Sequence, residues 1–447
     1  MRTRQGHLTW WHLSLLGTGC TIGTGFFLGS GIAIQKSGFT VLILFVLAAL
    51  GTSFVFATLA KMTAAYPEQG SFRTYAKQAY GRWAGFSSGW IYWSSEMLLS
   101  GSSLKALSLF SQFWFPQIPL WILTSVYAAL GLTVVIRGAG GFEKTEDVLA
   151  ILKLSALVLF IFVALSVWLG RSGMSHSGPK LPASLDEWFS PGFKGMWTGL
   201  IYVFYAFGGI EVMGLMAAGL REPHHVMKSG RVMLLIVTVL YMTSMVLLLV
   251  LVPLEQLQQQ ESPFISGLRS LGFHVLVHGF NAVLIIAGFS TMVASLYGVT
   301  LMLVTLAEDG DAPQCFSGRK GNRRMPYPAL GLTAAGLAAS VLLALWTPKH
   351  IFEHIATASG LVLLYTWCFI LISAPRVVKL TTGDKIKSFS ALLLIGAAVS
   401  GTLAEASSRP GFWVSLLVVV IIAVVTLFMR LKWRKQEAKR KYGMGSV

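Results

Sequence analysis

The most informative segment of the chain is Gly17-Thr18-Gly19-Cys20-Thr21-Ile22-Gly23-Thr24-Gly25-Phe26-Phe27-Leu28-Gly29-Ser30-Gly31, which has six glycines in fifteen residues. It lies inside an apolar run from Leu8 to Ile34 that is long enough to cross a bilayer as a helix. Each glycine in a helix interior costs about 1 kcal/mol relative to alanine. Irregular backbone at membrane depth is tolerated only where it is buried in protein or lines a cavity. We therefore predict a broken membrane helix whose exposed backbone groups form a binding site.

The composition is that of a helical membrane protein. Of the 447 residues, 54% are hydrophobic and 12% are charged, which is about half the charged fraction of a typical soluble domain. Repeated apolar segments of about 20 residues match the length of a spanning helix. The expected fold class is an all-α polytopic membrane protein with twelve transmembrane helices, over residues 9–34, 40–65, 84–112, 120–137, 146–169, 196–220, 229–252, 276–307, 327–346, 351–373, 389–406 and 412–430.

Basic residues indicate the orientation in the membrane. If the N-terminus is cytoplasmic, 26 of the 35 lysines and arginines fall in cytoplasmic segments and seven fall in outer segments. Because such a bias sets topology, we predict a multi-pass plasma-membrane protein with both termini in the cytoplasm. The net charge of +17 is spread over every inner loop, so it does not indicate nucleic-acid binding. The lipid bilayer is the expected macromolecular partner.

The sequence offers little for metal or redox chemistry. Cys20, Cys315 and Cys368 form an odd, scattered set without a disulfide framework or a metal-ligand spacing. The histidines show no ligand cluster, and the acidic segment at residues 308–311 lacks calcium-loop spacing and is expected to be a helix end and turn. We predict no cofactor, no metal site and, without a nucleophile–base set, no enzymatic activity.

A second interrupted helix is predicted near Gly208 and Gly209, which lie beside the intramembrane carboxylate Glu211. Two interrupted hydrophobic segments in corresponding places of two halves are typical of transporters with inverted repeats. We predict a cytoplasmic N-terminus at 1–8, a five-helix repeat at 9–169, an extracellular loop at 170–195, an inverted five-helix repeat at 196–373, two peripheral helices at 389–430 and a basic cytoplasmic tail at 431–447.

Three interpretations of the first glycine-rich segment are a dinucleotide-binding fingerprint, a helix-packing motif and a substrate-binding helix break. It has one residue too many before Gly29 for a dinucleotide fingerprint, and no strand precedes it. Gly25 and Gly29 have the spacing of close helix packing, which is compatible with a binding role. At a helix break, unpaired N–H groups suit a carboxylate and terminal carbonyls suit an ammonium group. The two breaks thus predict a site for an α-amino acid, formed by Cys20, Thr21, Ile22, Gly23, Thr24, Gly25, Tyr205, Ala206, Phe207 and Gly208.

Three more ionisable side chains lie within predicted spans. Glu96 is near the bilayer centre, where a carboxylate is costly and often functional, and a protonated or paired structural residue is an equally good interpretation. Lys153 is a candidate proton carrier because burial disfavours the charged form of an amine, with snorkelling to the interface as the alternative. Lys105 is expected to snorkel near the outer surface, and we assign it no role.

The chain resembles the amino acid–polyamine–organocation superfamily, and within it the amino acid permeases of the proton-coupled bacterial branch. Four motifs carry the resemblance, in the same order: residues 22–31, Tyr66-Pro67-Glu68-Gln69-Gly70-Ser71-Phe72, Phe204-Tyr205-Ala206-Phe207-Gly208-Gly209-Ile210-Glu211, and Ala307-Glu308-Asp309-Gly310-Asp311-Ala312-Pro313. From its own residues, the inner segment Tyr66–Ala76, which contains the second motif, could form a short amphipathic helix along the membrane surface.

The resemblance implies a leucine-transporter-like fold with ten core helices and two peripheral ones. It implies that Thr24 and Gly25 bind the substrate carboxylate, and that carbonyls near Ile22 and residues 205–208 bind the amino group. It also implies an aromatic gate at Tyr205 or Phe207 and a proton-coupling role for Lys153. Cys20 departs from the pattern, because many relatives have glycine there, so substrate preference does not transfer directly.

We therefore expect a secondary active transporter that imports an amino acid with a proton by alternating access. An exchanger or a polyamine carrier is the nearest alternative, and a non-transporting amino acid sensor is the alternative from another class. A polyamine carrier is expected to have additional acidic residues in its pocket, and a sensor is expected to have an appended cytosolic domain. The possible pocket residues are small and polar and fit several substrates: Ser94, Ser95, Glu96, Ala206, Glu211, Ser290 and Thr291.

Overall fold

The computed structural model describes residues 8–68, 70–137, 142–170, 182, 184–257, 261–317, 327–346 and 351–441. This part of the chain is almost entirely helical. Its helices, labelled in chain order, are α1 (Trp10–Thr21), α2 (Thr24–Phe27), α3 (Gly29–Ser37), α4 (Val41–Ala65), α5 (Phe72–Tyr80), α6 (Arg82–Gln112), α7 (Leu120–Arg137), α8 (Phe142–Trp168), α9 (Leu185–Trp188), α10 (Gly192–Ala206), α11 (Ile210–Met216), α12 (Val226–Leu251), α13 (Pro263–Ser270), α14 (His274–Glu308), α15 (Tyr327–Trp346), α16 (Ile351–Val377), α17 (Thr382–Ala404) and α18 (Arg409–Lys441).

The helices coincide with the apolar segments of the sequence. Among the described residues, eight helical stretches are long and apolar enough to cross a membrane. Shorter apolar stretches lie in α7 and α15. Each of the twelve predicted spans falls on one or more of the helices α1–α18. The helical membrane architecture is therefore confirmed, while the number of crossings and the inverted repeat stay predictions.

Several helices are longer than the apolar pattern indicates. Helix α10 begins at Gly192, inside the predicted loop 170–195, of which residues 171–181 and 183 lie outside the described residues. Helix α17 starts seven residues before the predicted 389, because Thr381 and Asp384 form a capping box there. Glu405 lies just beyond the end of α17, so its carboxylate does not interrupt the helix. Helix α18 continues into the predicted tail as far as Lys441.

Both predicted helix breaks are present. Helix α1 ends at Thr21, and Ile22 and Gly23 are extended before α2 begins. Helix α10 ends at Ala206, and α11 begins only after a turn whose last residue, Gly209, has φ +113°. A second, smaller irregularity at Leu28 separates α2 from α3. Each interrupted helix therefore resumes after two or three residues.

The interrupted helices lie at the centre of the helix packing. Helix α1 contacts α8, α11, α12 and α14, while α10 contacts α2, α3, α4, α16 and α17. Helix α6 packs along α14 and α16 and also touches α2. The extended residue Leu8 pairs with Leu220 through a parallel bridge, which ties the start of α1 to the chain after α11. This arrangement surrounds the breaks with protein, as irregular backbone in a membrane requires.

Helix α5 begins at Phe72, the last residue of the second sequence motif, and packs one side against neighbouring helices. Phe72, Arg73, Tyr75 and Ala76 are buried against neighbouring helices. Arg73 donates from Nη1 to Asp309 Oδ2 at 2.9 Å and from Nη2 to the acid at position 311 at 2.7 Å. The predicted turn after α14 thus provides carboxylates that hold α5 in place.

Candidate functional site

The two helix breaks face each other across a short distance. A Cβ atom added to Gly209 would lie 3.0 Å from the Cys20 carbonyl oxygen, and one added to Gly25 would lie 3.0 Å from the Tyr205 carbonyl oxygen. Glycine is therefore needed for the backbones to approach this closely. A cavity opens beside them, lined by Cys20, Thr21, Gly23, Thr24, Gly25, Ser95, Glu96, Leu99, Tyr205, Gly208, Glu211, Thr291, Ser359 and Leu363.

The first break presents both donors and acceptors. Thr24 and Gly25 are the first residues of α2, and the leading N–H groups of a helix have no acceptor within it. The Ile22 N–H is used by α1, because it donates to the Thr18 carbonyl at 2.9 Å. The Thr24 hydroxyl is 3.1 Å from the hydroxyl of Ser103 on α6. The unpaired donors next to the cavity therefore lie on the α2 side of the break.

The second break is held by a carboxyl group. Glu211 Oε1 accepts a hydrogen bond from the Gly209 N–H at 3.0 Å, and its Oε2 accepts one from Trp367 Nε1 at 3.2 Å. Both oxygens of this fully buried side chain therefore have a donor. Glu211 closes the turn after α10 and anchors it to α16.

The two aromatic gate candidates occupy different surroundings. Tyr205 lines the cavity, and its hydroxyl is hydrogen bonded to Ser102 on α6. Phe207 does not line it; the ring packs 5.5 Å from Tyr241 and 6.2 Å from Phe45. Of the two, Tyr205 is therefore the one that lines the cavity, and the gate role stays a prediction.

Tyr241 on α12 is a residue that the sequence did not indicate. Its hydroxyl lies 3.2 Å from the carbonyl oxygen of Thr21 and 3.3 Å from that of Ala206. Thr21 is the last residue of α1, and Ala206 is the last residue of α10. Its ring stacks on Phe26 at a centroid distance of 3.6 Å. One hydroxyl thus connects the carbonyl ends of both interrupted helices, which a tyrosine in an apolar helix pattern gives no reason to expect.

Lys153 is fully buried, so the snorkelling alternative is wrong. Its Nζ donates to the Gly19 carbonyl oxygen of α1 at 2.8 Å and is 3.4 Å from Thr291 Oγ1 of α14. Thr291 in turn lines the cavity. The lysine therefore lies behind the first break, one side chain away from the cavity.

The polar pocket residues are only partly brought together. Ser95, Glu96, Glu211 and Thr291 line the cavity, whereas Ser94 and Ser290 do not. Among the backbone candidates, Ile22, Ala206 and Phe207 are also outside the lining. The sequence missed Leu99, Ser359 and Leu363, whose helix faces follow from packing rather than from any local motif. Ser359 exchanges hydrogen bonds with Ser95, since each hydroxyl donates to the other residue's carbonyl, at 3.3 and 3.5 Å.

Lys105 differs from its expected location. The side chain is buried, with 3% of its surface exposed, rather than extended to the outer surface. It is not part of the cavity lining. The expectation of snorkelling is therefore wrong for this residue, since α6 packs against α14, α15 and α16.

Two histidines are clustered, contrary to the sequence interpretation. Glu222 Oε2 lies 3.3 Å from His224 Nε2 and 3.2 Å from His225 Nδ1. The group could hold a metal ion. Glu222 and His224 are exposed on the loop before α12, and the same distances are those of ordinary carboxylate–imidazole hydrogen bonds. The group lies outside the cavity between the breaks.

Comparison with known proteins gives relatives that match nearly the whole chain. The chain is 53% identical over 428 residues to the uncharacterized transporter YcgH of Bacillus subtilis (strain 168), covering 96% of each protein. It is 29% identical over 442 residues to the aromatic amino acid transport protein AroP of Corynebacterium glutamicum, covering 93% of this chain and 94% of the relative. Both relatives are named as transport proteins.

Solved structures show the same fold at much lower sequence identity. A crystal structure of a mutant manganese transporter of Eremococcus coleocola aligns with a TM-score of 0.63 and 11% identity over 96% of this chain and 97% of that one. At this identity the likeness concerns the fold alone. The family model for amino acid permeases matches residues 12–443. With nearly every residue inside that match, the chain belongs to the amino acid permease family.

Proposed function

We propose that this permease imports an amino acid together with a proton, by alternating access. The observation that carries the proposal is the position of the Lys153 ammonium group. It donates to a carbonyl of the first broken helix at 2.8 Å and is next to Thr291, which lines the cavity. A proton-bearing group that contacts both the first broken helix and the cavity wall can link a proton to substrate binding.

Within this proposal, backbone groups bind the carboxylate and the α-amino group that all amino acid substrates share. The N–H groups of Gly23, Thr24 and Gly25 bind the carboxylate, because they are donors at a positive helix end. Of the carbonyls expected to bind the α-amino group, those of the lining residues Cys20, Thr21, Tyr205 and Gly208 are proposed to do so. Tyr205 closes over the substrate, and the other residues that line the cavity contact the substrate side chain.

The coupling step follows from the hydrogen bonding of Lys153. A charged ammonium group donates strongly to the Gly19 carbonyl and holds α1 against α8. When the proton leaves towards the cytoplasm, this charge-assisted bond weakens and α1 is freed to move. Substrate and proton then favour the closed site together, and loss of the proton favours the inward-open site.

The test is uptake of a labelled amino acid panel into proteoliposomes, with and without an inward proton gradient. The aromatic amino acids belong in the panel because AroP is named for their transport. Accumulation that requires the gradient supports symport. Exchange that ignores the gradient supports an antiporter, uptake of polyamines supports a polyamine carrier, and binding without flux supports a sensor.

Two substitutions test the coupling residue itself. Lys153→Ala removes the ammonium group and should abolish gradient-driven accumulation while sparing exchange. Lys153→Arg keeps a permanent charge, so it should also exchange substrate without accumulating it. Lys194→Ala, at a lysine with 67% of its side chain exposed, serves as the control. Unchanged accumulation in Lys153→Ala would reject the coupling role.

A further inference from the structure

The cavity is lined by acidic side chains without a basic one among the described residues. Its lining includes two carboxyl groups, Glu96 and Glu211, and contains no lysine, arginine or histidine among the described residues. The two groups are close enough to interact electrostatically. An amino acid with an uncharged side chain brings no cation to this lining beyond its α-amino group.

The two carboxyl groups have different partners. Glu211 receives a donor at each oxygen, from Gly209 N–H and from Trp367 Nε1, and is thereby part of the turn. Glu96 is on α6 and lines the same cavity, with 2% of its surface exposed. A carboxylate accepts about four hydrogen bonds, so Glu96 can accept donors from a ligand in the cavity.

Lys105 does not balance Glu96, although both are buried on α6. Nine residues of helix place the two Cα atoms roughly 13 Å apart along the axis and about half a turn around it. The two side chains therefore leave the helix on opposite faces. Lys153 is behind the lining, where its ammonium group donates to the Gly19 carbonyl. A cationic ligand in the cavity is therefore the partner that the lining leaves to Glu96.

A buried carboxylate is stabilised by a charged partner with good hydrogen-bond geometry. We propose that Glu96 binds the cationic side chain of the substrate, so that the transported class is basic amino acids with a terminal ammonium or guanidinium group. The inference rests on the proposed function, in which backbone carbonyls take the α-amino group and leave Glu96 for the second cation. A polyamine fits less well, since it has no carboxylate for the donors of Gly23, Thr24 and Gly25.

The experiment compares lysine with norleucine, which has a side chain of similar length without the charge. Proteoliposomes containing the wild-type protein should accumulate lysine, and unlabelled ornithine and arginine should compete at least about tenfold better than norleucine. In Glu96→Gln, the apparent affinity for lysine should fall about tenfold or more, because the charged pair is lost. The affinity for norleucine should change less than about threefold, because its side chain never paired with the acid.

The controls separate this inference from the proposed function. Asp186→Asn removes an exposed carboxylate on α9 and should leave both affinities unchanged. Wild-type protein that accumulates neutral but not basic amino acids overturns the inference and leaves amino acid import intact. If Glu96→Gln loses lysine and norleucine to the same extent, Glu96 is structural and the inference is wrong. If no amino acid accumulates in the wild-type vesicles, the proposed function fails and the inference fails with it.

Discussion

Individual residues decide whether the two helix breaks can meet. Gly209 combines a left-handed backbone, φ +113°, with a position where a Cβ atom would lie 3.0 Å from the Cys20 carbonyl oxygen. Gly25 is not among the glycines with positive φ, but an added Cβ would lie 3.0 Å from the Tyr205 carbonyl oxygen. These contacts bring together the carbonyl ends of α1 and α10 to which Tyr241 is hydrogen bonded.

Gly209→Ala should therefore impair transport more than it impairs folding. The left-handed conformation alone costs a non-glycine residue about 1–3 kcal/mol, and the added methyl group also pushes Cys20 away. Gly192→Ala is the matched control, because Gly192 has φ +65° with nothing within 4 Å of an added Cβ. Uptake per folded molecule, with folding measured by thermal unfolding, should drop sharply in Gly209→Ala and stay near wild type in the control. Equal uptake in the two variants would show that the close approach is unnecessary.

Among the helical elements, α5 shows how a charged segment is fixed at the end of the membrane helices. Arg73 and Lys77 from α5 and Arg82 from the start of α6 share the carboxylates of Asp309 and Asp311 after α14. Partial burial acts to raise the pKa of Asp309, but the hydrogen bond from Lys77 and the charge of Arg73 hold it below its usual value of 3.8. Its stabilising contribution is therefore present above that value and is lost as the pH falls through the lowered pKa.

Arg73→Ala should destabilise the protein far more than Lys77→Ala. Arg73 has 1% of its side chain exposed and pairs with the fully buried Asp311. Removing one partner of a buried pair costs about 3–5 kcal/mol, and the remaining Arg82 contact favours the lower end of that range. Lys77 has 38% of its side chain exposed, so its ion pair is worth less than about 1 kcal/mol. Thermal unfolding of the purified variants in detergent measures the difference, and equal destabilisation would contradict this account of α5.

The same elements show how far the sequence alone could predict the site. The breaks were predictable, because glycines and a carboxylate inside apolar segments are local and costly features. The contribution of Tyr241 was not, since its role depends on the rotation of α12 relative to two other helices. The same holds for Ser359 and for the burial of Lys105, because a single apolar helix does not reveal which neighbours enclose it.

At the scale of the whole molecule, apolar and polar residues are distributed for a lipid environment. Large apolar side chains remain exposed along the outer helices, for example Phe162 (71%) on α8 and Phe428 (68%) on α18. Such exposure is unfavourable in water and is expected where lipid replaces it. Ionisable groups such as Glu96, Lys153 and Glu211 are instead buried among the inner helices. Lysines and arginines outside the helices then determine which end of the molecule faces the cytoplasm.

The native cysteines provide a direct test of that orientation. Cys315 is exposed after α14, whereas Cys20 is buried and Cys368 is partly buried. The predicted topology puts Cys315 in the cytoplasm, so a membrane-impermeant maleimide should label the protein in permeabilised cells and leave it unlabelled in intact cells. Cys315→Ser should remove the label. Any labelling that remains in this variant would come from another cysteine, such as the cavity residue Cys20.

An outward-facing reference makes the result decisive. Leu185 on α9 has 77% of its surface exposed and belongs to the predicted extracellular loop, so Leu185→Cys in the Cys315→Ser background should react in intact cells. Labelling of Cys315 in intact cells, together with protection of residue 185, would mean that the molecule is inserted the other way round. The charge bias would then have failed as a guide, and the proton that leaves Lys153 towards the cytoplasm in the proposed cycle would have to leave on the opposite side.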